Sequence, residues 1–205
     1  RWGFFIYYFV IYSMNLSNHY AKYYPKANGI VDKEIRIRFA LPTDALDISK
    51  IEVNIYGQYP DPYDVVIKKI NRSLKKTESD NSLTKVWVAL KKEKIIGFSK
   101  LDYKNNIIND FPDLIEGWYL TGITVHPHWR RIGVATLLVK SRLNWLKDKT
   151  NEVFYWSNKN NKASEALHKK FGFKKIKSSI NTPMGYSAET WFKRGSSNLF
   201  KTIIN

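Results

Sequence analysis

Cysteine is absent from this chain. With it go disulfides, thiolate metal centres and a cysteine nucleophile. Acidic residues are scarce: 18 Asp and Glu stand against 34 Lys and Arg, a formal net charge of +16. Long hydrophobic runs are missing as well. The most apolar stretch, Arg1–Ser13 (RWGFFIYYFVIYS), falls short of the about 20 residues that a membrane-spanning helix needs. It has one positive charge and no small-residue cleavage site, so it does not read as a signal peptide. No internal repeat and no low-complexity linker interrupts the chain. Disorder is excluded by composition, since 43% of the residues are hydrophobic and 25% charged.

What is there is enough for one domain: 205 residues support a sizeable core. Met14 reads as the true start, with residues 1–13 a non-native or upstream segment, 14–33 a lead-in, 34–195 the domain and 196–205 a C-terminal tail. The cysteine-free composition is compatible with a cytoplasmic protein, and no membrane partner is expected. The positive charge favours anionic partners, either nucleic acid or a phosphate-bearing coenzyme. Lys, Asn and Ile recur along the whole chain, as in Lys91-Lys92 and Asn158–Lys162, instead of gathering into one basic arm. That spread speaks for a compositional trend over a nucleic-acid partner.

Glu34–Phe39 alternates charged and apolar residues, the period of a half-buried strand. A helix follows Pro42-Thr43-Asp44 with Leu46, Ile48, Ile51 and Ile55. A second helix spans Tyr63–Lys75. Val86–Leu90 and Ile95–Tyr103 read as a hairpin across the polar turn Lys91–Lys94. Gly117–Val125 is rich in aromatic and β-branched residues and reads as one strand. Val134–Trp145 is a helix with a broad apolar face. Val153–Trp156 is a strand, Ala163–Phe171 a helix, and Phe173–Ile176 and Thr190–Lys193 are closing strands. This order predicts an α/β (α+β) fold, a mixed and mostly antiparallel sheet with helices on both faces.

The most informative segment runs from Gly122 to Thr136 (GITVHPHWRRIGVAT). A strand ends at Val125, a proline turn follows, and a helix begins near Gly133. The first N–H groups of a helix have no internal partners, and the helix dipole makes that end positive. A pyrophosphate can accept those N–H bonds. Gly133 permits close approach of the backbone, Ala135 keeps the surface low, and Arg130 and Arg131 add charge-assisted contacts. A capped helix flanked by surface arginines would leave the same pattern.

Arg130-x-x-Gly133-x-Ala135 after a strand resembles the acetyl-CoA motif of the GNAT acetyltransferase superfamily. Downstream, Asn161, Ser164, Leu167, His168, Gly172 and Phe173 resemble its second motif, with one helix and one strand between the two as in that family. Within it the segment 117–173 is most similar to aminoglycoside 6'-N-acetyltransferase-like members. The resemblance implies the GNAT fold and acetyl-CoA as co-substrate, with no metal. It places the coenzyme arm and thioester on Ile123, Thr124 and Val125, with Gly122 easing a bulge. It places the pyrophosphate on Arg130, Arg131, Ile132, Gly133, Val134, Ala135 and Thr136, and brings Asn161 and Ser164 to the coenzyme. Asn161 can equally be a helix N-cap.

Where the family usually carries a tyrosine that protonates the departing thiolate, this chain has His168, which the resemblance makes the candidate acid. Family members of the aminoglycoside type carry Glu at the position of Thr121. Threonine is no base, so the base is open, with Glu116 the best substitute and Asp110 and Asp113 nearby. Tyr59, Asp61, Asp64, Trp118 and Tyr119 are candidates for the acceptor pocket, although core packing explains Trp118 and Tyr119 equally well. His126 and His128 flank Pro127 without a third ligand, which is a surface turn and not a metal site.

The expected activity is direct transfer of the acetyl group to a primary amine, an aminoglycoside or another small amine. Two alternatives stand beside it: a protein or peptide N-acetyltransferase, and a basic GNAT-fold module that binds nucleic acid without catalysis. A homodimer is compatible with all three.

Overall fold

The computed structural model describes residues 21, 23, 31–56, 63–77, 82–105, 113–184 and 191–204. Strand β1 (Arg36–Phe39) leads through a short 3-10 turn (Pro42–Asp44) into helices α1 (Ala45–Tyr56) and α2 (Tyr63–Thr77). Strands β2 (Thr84–Lys91), β3 (Lys94–Lys104), β4 (Gly117–Tyr119) and β5 (Ile123–Val125) follow. Helix α3 (Val134–Leu146), β6 (Glu152–Asn158), α4 (Lys162–Lys169), β7 (Lys174–Met184) and β8 (Trp191–Ile203) complete the order. The strands form one sheet in the order β1-β2-β3-β4-β6-β8-β7, with β5 beside β3. Every pairing is antiparallel except β4 with β6. This is the expected mixed, mostly antiparallel sheet.

Alternation along β2 explains how the sheet holds helices on both faces. Val86, Val88 and Leu90 turn to one side, where they pack with Ile48 and Ile51 of α1 and Val66, Ile70 and Leu74 of α2. Trp87 and Ala89 turn to the other, against Val134, Leu138, Val139 and Leu146 of α3. On the α1–α2 face, a further cluster of Leu114, Tyr119, Phe154, Ile180 and Leu199 covers the opposite half of the sheet. The β2–β3 hairpin turns at Lys92 and Glu93, both at positive φ (47° and 59°), the geometry that matches the twist of the flanking strands.

Two differences from the sequence reading matter. The stretch 117–125 is not one strand but two, broken at Leu120–Gly122. There the Lys100 N–H faces two carbonyls, Thr121 O at 3.2 Å and Gly122 O at 3.1 Å, so two residues oppose one and the strand bulges. Gly122 takes φ +57° at this point. The second difference is at the C-terminus. Residues beyond 195 are not a tail: β8 runs to Ile203, and Ser197–Ile203 pair with β6. Ser197, Leu199 and Thr202 are buried, which their isolated polar and charged neighbours in sequence conceal.

Candidate active site

The bulge opens the sheet. β4 pairs with β6 at Trp118–Val153 and Tyr119–Phe154, and the last link is Leu120 N–H to Phe154 O at 2.8 Å. Beyond the bulge, β5 pairs with β3 alone among the described strands. A wedge therefore separates β5 from the second half of β6. In the antiparallel pairing Thr124 and His126 turn their backbone groups toward β3, with His126 N–H on Ile96 O at 2.9 Å. By alternation, Ile123 and Val125 turn theirs into the wedge. An extended ligand with carbonyl and amide groups can pair with those two residues as a missing strand would.

The wedge leads to the start of α3. Gly133 is the N-cap at φ +90°, no side chain caps the helix, and the first helical bond is Leu137 N–H to Gly133 O at 3.0 Å. The N–H groups of Val134, Ala135 and Thr136 thus lie at the positive end of a 13-residue helix without intrahelical partners. Arg130 Nε donates to Val125 O at 3.1 Å, so its guanidinium lies along the end of β5. Arg131 is exposed at φ +71°. Ile132 packs into the core beside Val134. Val31 lies over Gly133, and Asp32 N–H donates to Ile132 O at 3.1 Å, so the lead-in crosses the loop. Backbone donors without intrahelical partners at a helix N-terminus, arginines and an adjoining strand gap fit a ligand with a pyrophosphate and an amide arm.

Under the bulge lies Arg142 of α3, fully buried. Its Nη1 donates to Lys100 O at 3.0 Å and lies 3.5 Å from Gly122 O, while Nη2 meets no partner among the described residues. Burial lowers its pKa to about 9. Nothing in the periodicity of α3 marks this arginine, which occupies a position read as apolar face.

His168 projects from α4 into the same layer and is 2% exposed. Its ring stacks on Tyr155 with centroids 3.9 Å apart. Nδ1 lies 2.9 Å from Ser164 O. A carbonyl only accepts, so Nδ1 carries the proton and Nε2 keeps a lone pair. Burial, helped by the Arg142 charge and opposed by the Ser164 bond, pushes the imidazole down to about 3. The ring is neutral at physiological pH, and Nε2, which meets no partner among the described residues, accepts. Proton donation from Nε2 would need the other tautomer, for which Ser164 Oγ, 3.4 Å from Nδ1, is the available donor. Asn161 is the N-cap of α4, accepting Ser164 N–H at 3.1 Å.

On the opposite face of the sheet, beside the bulge, lies a residue that the sequence reading passed over. Asp102 of β3 is 5% exposed. Its Oδ2 accepts from Thr121 Oγ1 at 2.5 Å and pairs with Lys100 Nζ at 3.2 Å, and its Oδ1 accepts from Thr84 Oγ1 at 2.8 Å. Burial pushes this carboxyl up, but Lys100, Lys104 and the two hydroxyls together bring it below the ordinary carboxylate value. Lys104 is pushed down by burial, and Lys100 and Lys76 of α2 add to the effect against the pull of Asp102. Asp102 stands in the hairpin strand as one charge in KLDYK, and only strand pairing reveals that it neighbours Thr121.

The remaining candidates are dispersed. Glu116 is exposed at the far end of β4 from the bulge and accepts from Tyr103 Oη at 2.8 Å. Asp113 pairs with Lys177 at 2.7 Å. Asp64 is exposed on α2 with Lys68 at 3.5 Å. Trp118 packs edge-on to Trp145 on the α3 face, centroids 5.3 Å apart. Tyr119 points the other way, fully buried, its hydroxyl on Ile115 O at 2.7 Å; burial raises its pKa to about 12. These two neighbours therefore do not line one pocket. Tyr59, Asp61 and Asp110 lie outside the described residues, as do residues 1–13. Among the described residues no three metal-ligating side chains converge, and no helix is long and apolar enough to cross a membrane.

The model of the Acetyltransferase (GNAT) family matches residues 47–173, more than half of the chain. The protein belongs to this family. An N-alpha-acetyltransferase of Sulfurisphaera tokodaii is 27% identical over 150 residues, covering 71% of this chain and 83% of its own. The ribosomal-protein-alanine N-acetyltransferase of Brucella melitensis superposes with a TM-score of 0.62 at 17% identity, over 82% of this chain and 99% of its own. The PaiA N-acetyltransferase of Thermoplasma acidophilum, solved with coenzyme A, gives 0.60 at 15% identity, over 82% of this chain and 98% of its own. With the wedge and the helix N-terminus above, the chain is an acetyl-CoA-dependent N-acetyltransferase.

Proposed function

We propose that this protein acetylates the α-amine of a peptide or protein N-terminus. Acetyl-CoA supplies the acetyl group when bound. Ile123 and Val125 hold its amide arm in the wedge, with Thr124 fixing β5 to β3. The N–H groups of Val134, Ala135 and Thr136 take the pyrophosphate, assisted by Arg130, Arg131, Ile132 and Gly133. Asn161 and Ser164 border the arm from the start of α4. His168, neutral and stacked on Tyr155, shapes and orients this layer.

The observation that carries the choice of amine is the charge around Asp102. Three lysines, Lys76, Lys100 and Lys104, act on this carboxylate or on one another across the floor beside the bulge. A floor with net positive charge favours an amine that arrives neutral. An α-amine has a reference pKa near ~7.7–8.0 and a lysine side chain near ~10.4, so the α-amine reaches that state at far lower cost. A polycationic aminoglycoside meets the same lysines and the +16 charge of the chain. The N-alpha-acetyltransferase among the relatives supports the same reading.

The test is thiol release from acetyl-CoA with peptides bearing a free or blocked N-terminus, lysine-containing peptides with a blocked N-terminus, and aminoglycosides. Acetylation of free N-termini, located by mass spectrometry, is expected. Turnover confined to aminoglycosides or lysine side chains would overturn the reading.

A further inference from the structure

The sheet brings together two residues that the chain keeps 19 positions apart. Thr121 stands on the bulge, half-exposed, at the apex of the wedge. Asp102 lies behind it, buried, on the neighbouring strand. The Thr121 hydroxyl has one proton, and a carboxylate only accepts, so the 2.5 Å contact runs from Thr121 Oγ1–H to Asp102 Oδ2. Both lone pairs of Thr121 Oγ1 remain for a donor on its open side. The carboxylate itself is held by Thr84 from β2 and by Lys100 from its own strand, so it is fixed in place and does not rotate away.

We propose that Thr121 and Asp102 form a two-step proton relay that receives the proton of the acceptor amine. Thr121 is the group in contact with the amine, and Asp102 acts through it. As the N–C bond forms and the thioester C–S bond breaks, its electron pair leaves on sulfur. The nitrogen sheds one proton to Thr121 Oγ1, whose own proton passes to Asp102 Oδ2. Threonine ends unchanged and the carboxylate ends protonated. Asp102 then returns its proton to solvent, and the sulfur takes one from solvent. A threonine that cannot serve as a base alone becomes competent because a fixed carboxylate lies behind it. Lys100 and Lys104 on β3 and Lys76 on α2 are the charges facing the pair. Two other carboxylates are buried among the described residues, Asp44, paired with Arg38 Nη1 at 2.6 Å, and Glu52 of α1, which has a partner of its own.

The proposal rests on the acetyltransferase activity and not on which amine is used. Its test compares wild type with Asp102→Asn, Thr121→Val, Thr121→Ser and the double variant Asp102→Asn/Thr121→Val. Each is assayed for kcat/KM toward whichever acceptor of the panel above, peptide or aminoglycoside, the wild type acetylates fastest, and, separately, for acetyl-CoA affinity. Asp102→Asn and Thr121→Val are each expected to lose about 10²-fold or more in kcat/KM, largely in kcat, with acetyl-CoA affinity within a few fold of wild type. Thr121→Ser retains the hydroxyl and most of the activity. The double variant is no worse than the weaker single variant by more than a few fold, because one broken link already stops the relay. Adding Thr121→Glu to Asp102→Asn restores at least tenfold by putting the carboxylate on the contact position. Thr121→Val keeps the test decisive should Asp102→Asn fold poorly. Thr121→Val within threefold of wild type, or losses that multiply in the double variant, would overturn the relay while leaving the enzyme reading intact. A wild-type protein that binds acetyl-CoA yet acetylates no amine overturns both.

Discussion

His168 shows how far position in a fold can move a side chain from its expected chemistry. Histidine in water titrates near ~6.5, within reach of proton donation to a thiolate. Inside the α3–α4 layer it loses its hydration, faces the buried Arg142 and is held at about 3. The unfolded chain therefore binds a proton that the folded chain refuses. The sign follows directly: stability from this residue is complete above about pH 6.5 and is lost as pH falls toward 3. At pH 5 the loss attributable to it is about 2 kcal/mol. We expect His168→Gln to flatten the dependence of the melting temperature on pH between 6.5 and 4, even if it lowers the value at pH 7. An unchanged slope would mean that the ring is not buried neutral. Asp102 lies below its ordinary value for the opposite reason, since lysines and hydroxyls outweigh its burial. Neither group titrates between pH 6 and 8, so the rate in that range should follow the amine.

At the scale of elements, two interruptions make the proposed site: a bulge in the strand 117–125 and a helix start without a side-chain cap. The bulge ends pairing with β6 while leaving β5 attached to β3, and Arg142 braces it from below through the carbonyls of Lys100 and Gly122. The helix start depends on Gly133. A Cβ there would meet Val31 Cα at 2.9 Å, in addition to the strain of φ +90° for an L side chain. Gly133→Ala should therefore destabilise the fold by about 1–3 kcal/mol and weaken acetyl-CoA binding tenfold or more, as the loop shifts away from Val31. Calorimetric titration with acetyl-CoA and a thermal melt measure the two effects. Binding and stability both equal to wild type would show that the loop does not need the glycine. The same contact explains the ion pair of Asp32 with Lys91, which pins the lead-in as it crosses the loop, with Lys91 Nζ 5.6 Å from the Trp129 ring centre.

Across the whole molecule the charge of +16 sets the long-range field. Both partners in the proposed reaction can exploit it, a phosphate-rich coenzyme and a peptide that carries acidic residues behind its N-terminus. Screening sets in over about 8 Å at physiological ionic strength, so the effect belongs to encounter and not to the transfer step. Peptides with Asp or Glu at their second to fourth positions should show higher kcat/KM than lysine-bearing counterparts. The ratio should fall toward one as salt is raised from 0.05 to about 0.5 M. A ratio unchanged by salt would place the preference in direct contacts instead.

Much of this was legible in the residues. Alternation in 34–39 and the polar turn between the runs 86–90 and 95–103 mark strands, the apolar positions from Leu46 to Ile55 and in 63–75 and 134–145 mark helices, and resemblance to the family motifs points Arg130, Gly133, Ala135 and Asn161–Phe173 toward the coenzyme. The strands and helices are local patterns that local backbone physics decides, and the coenzyme residues come from the resemblance. Three features lay beyond reach because they depend on which strands become neighbours. The break at Leu120–Gly122 arises from one N–H opposing two carbonyls of another strand. The burial of 197–203 arises from pairing with β6, whose partner residues lie 39 to 51 positions earlier in the chain. The contact of Thr121 with Asp102 arises because β3 and the bulge lie side by side. A sequence specifies the hydrogen-bonding and burial preferences of each residue. Only the assembled sheet decides which carboxylate stands behind which hydroxyl.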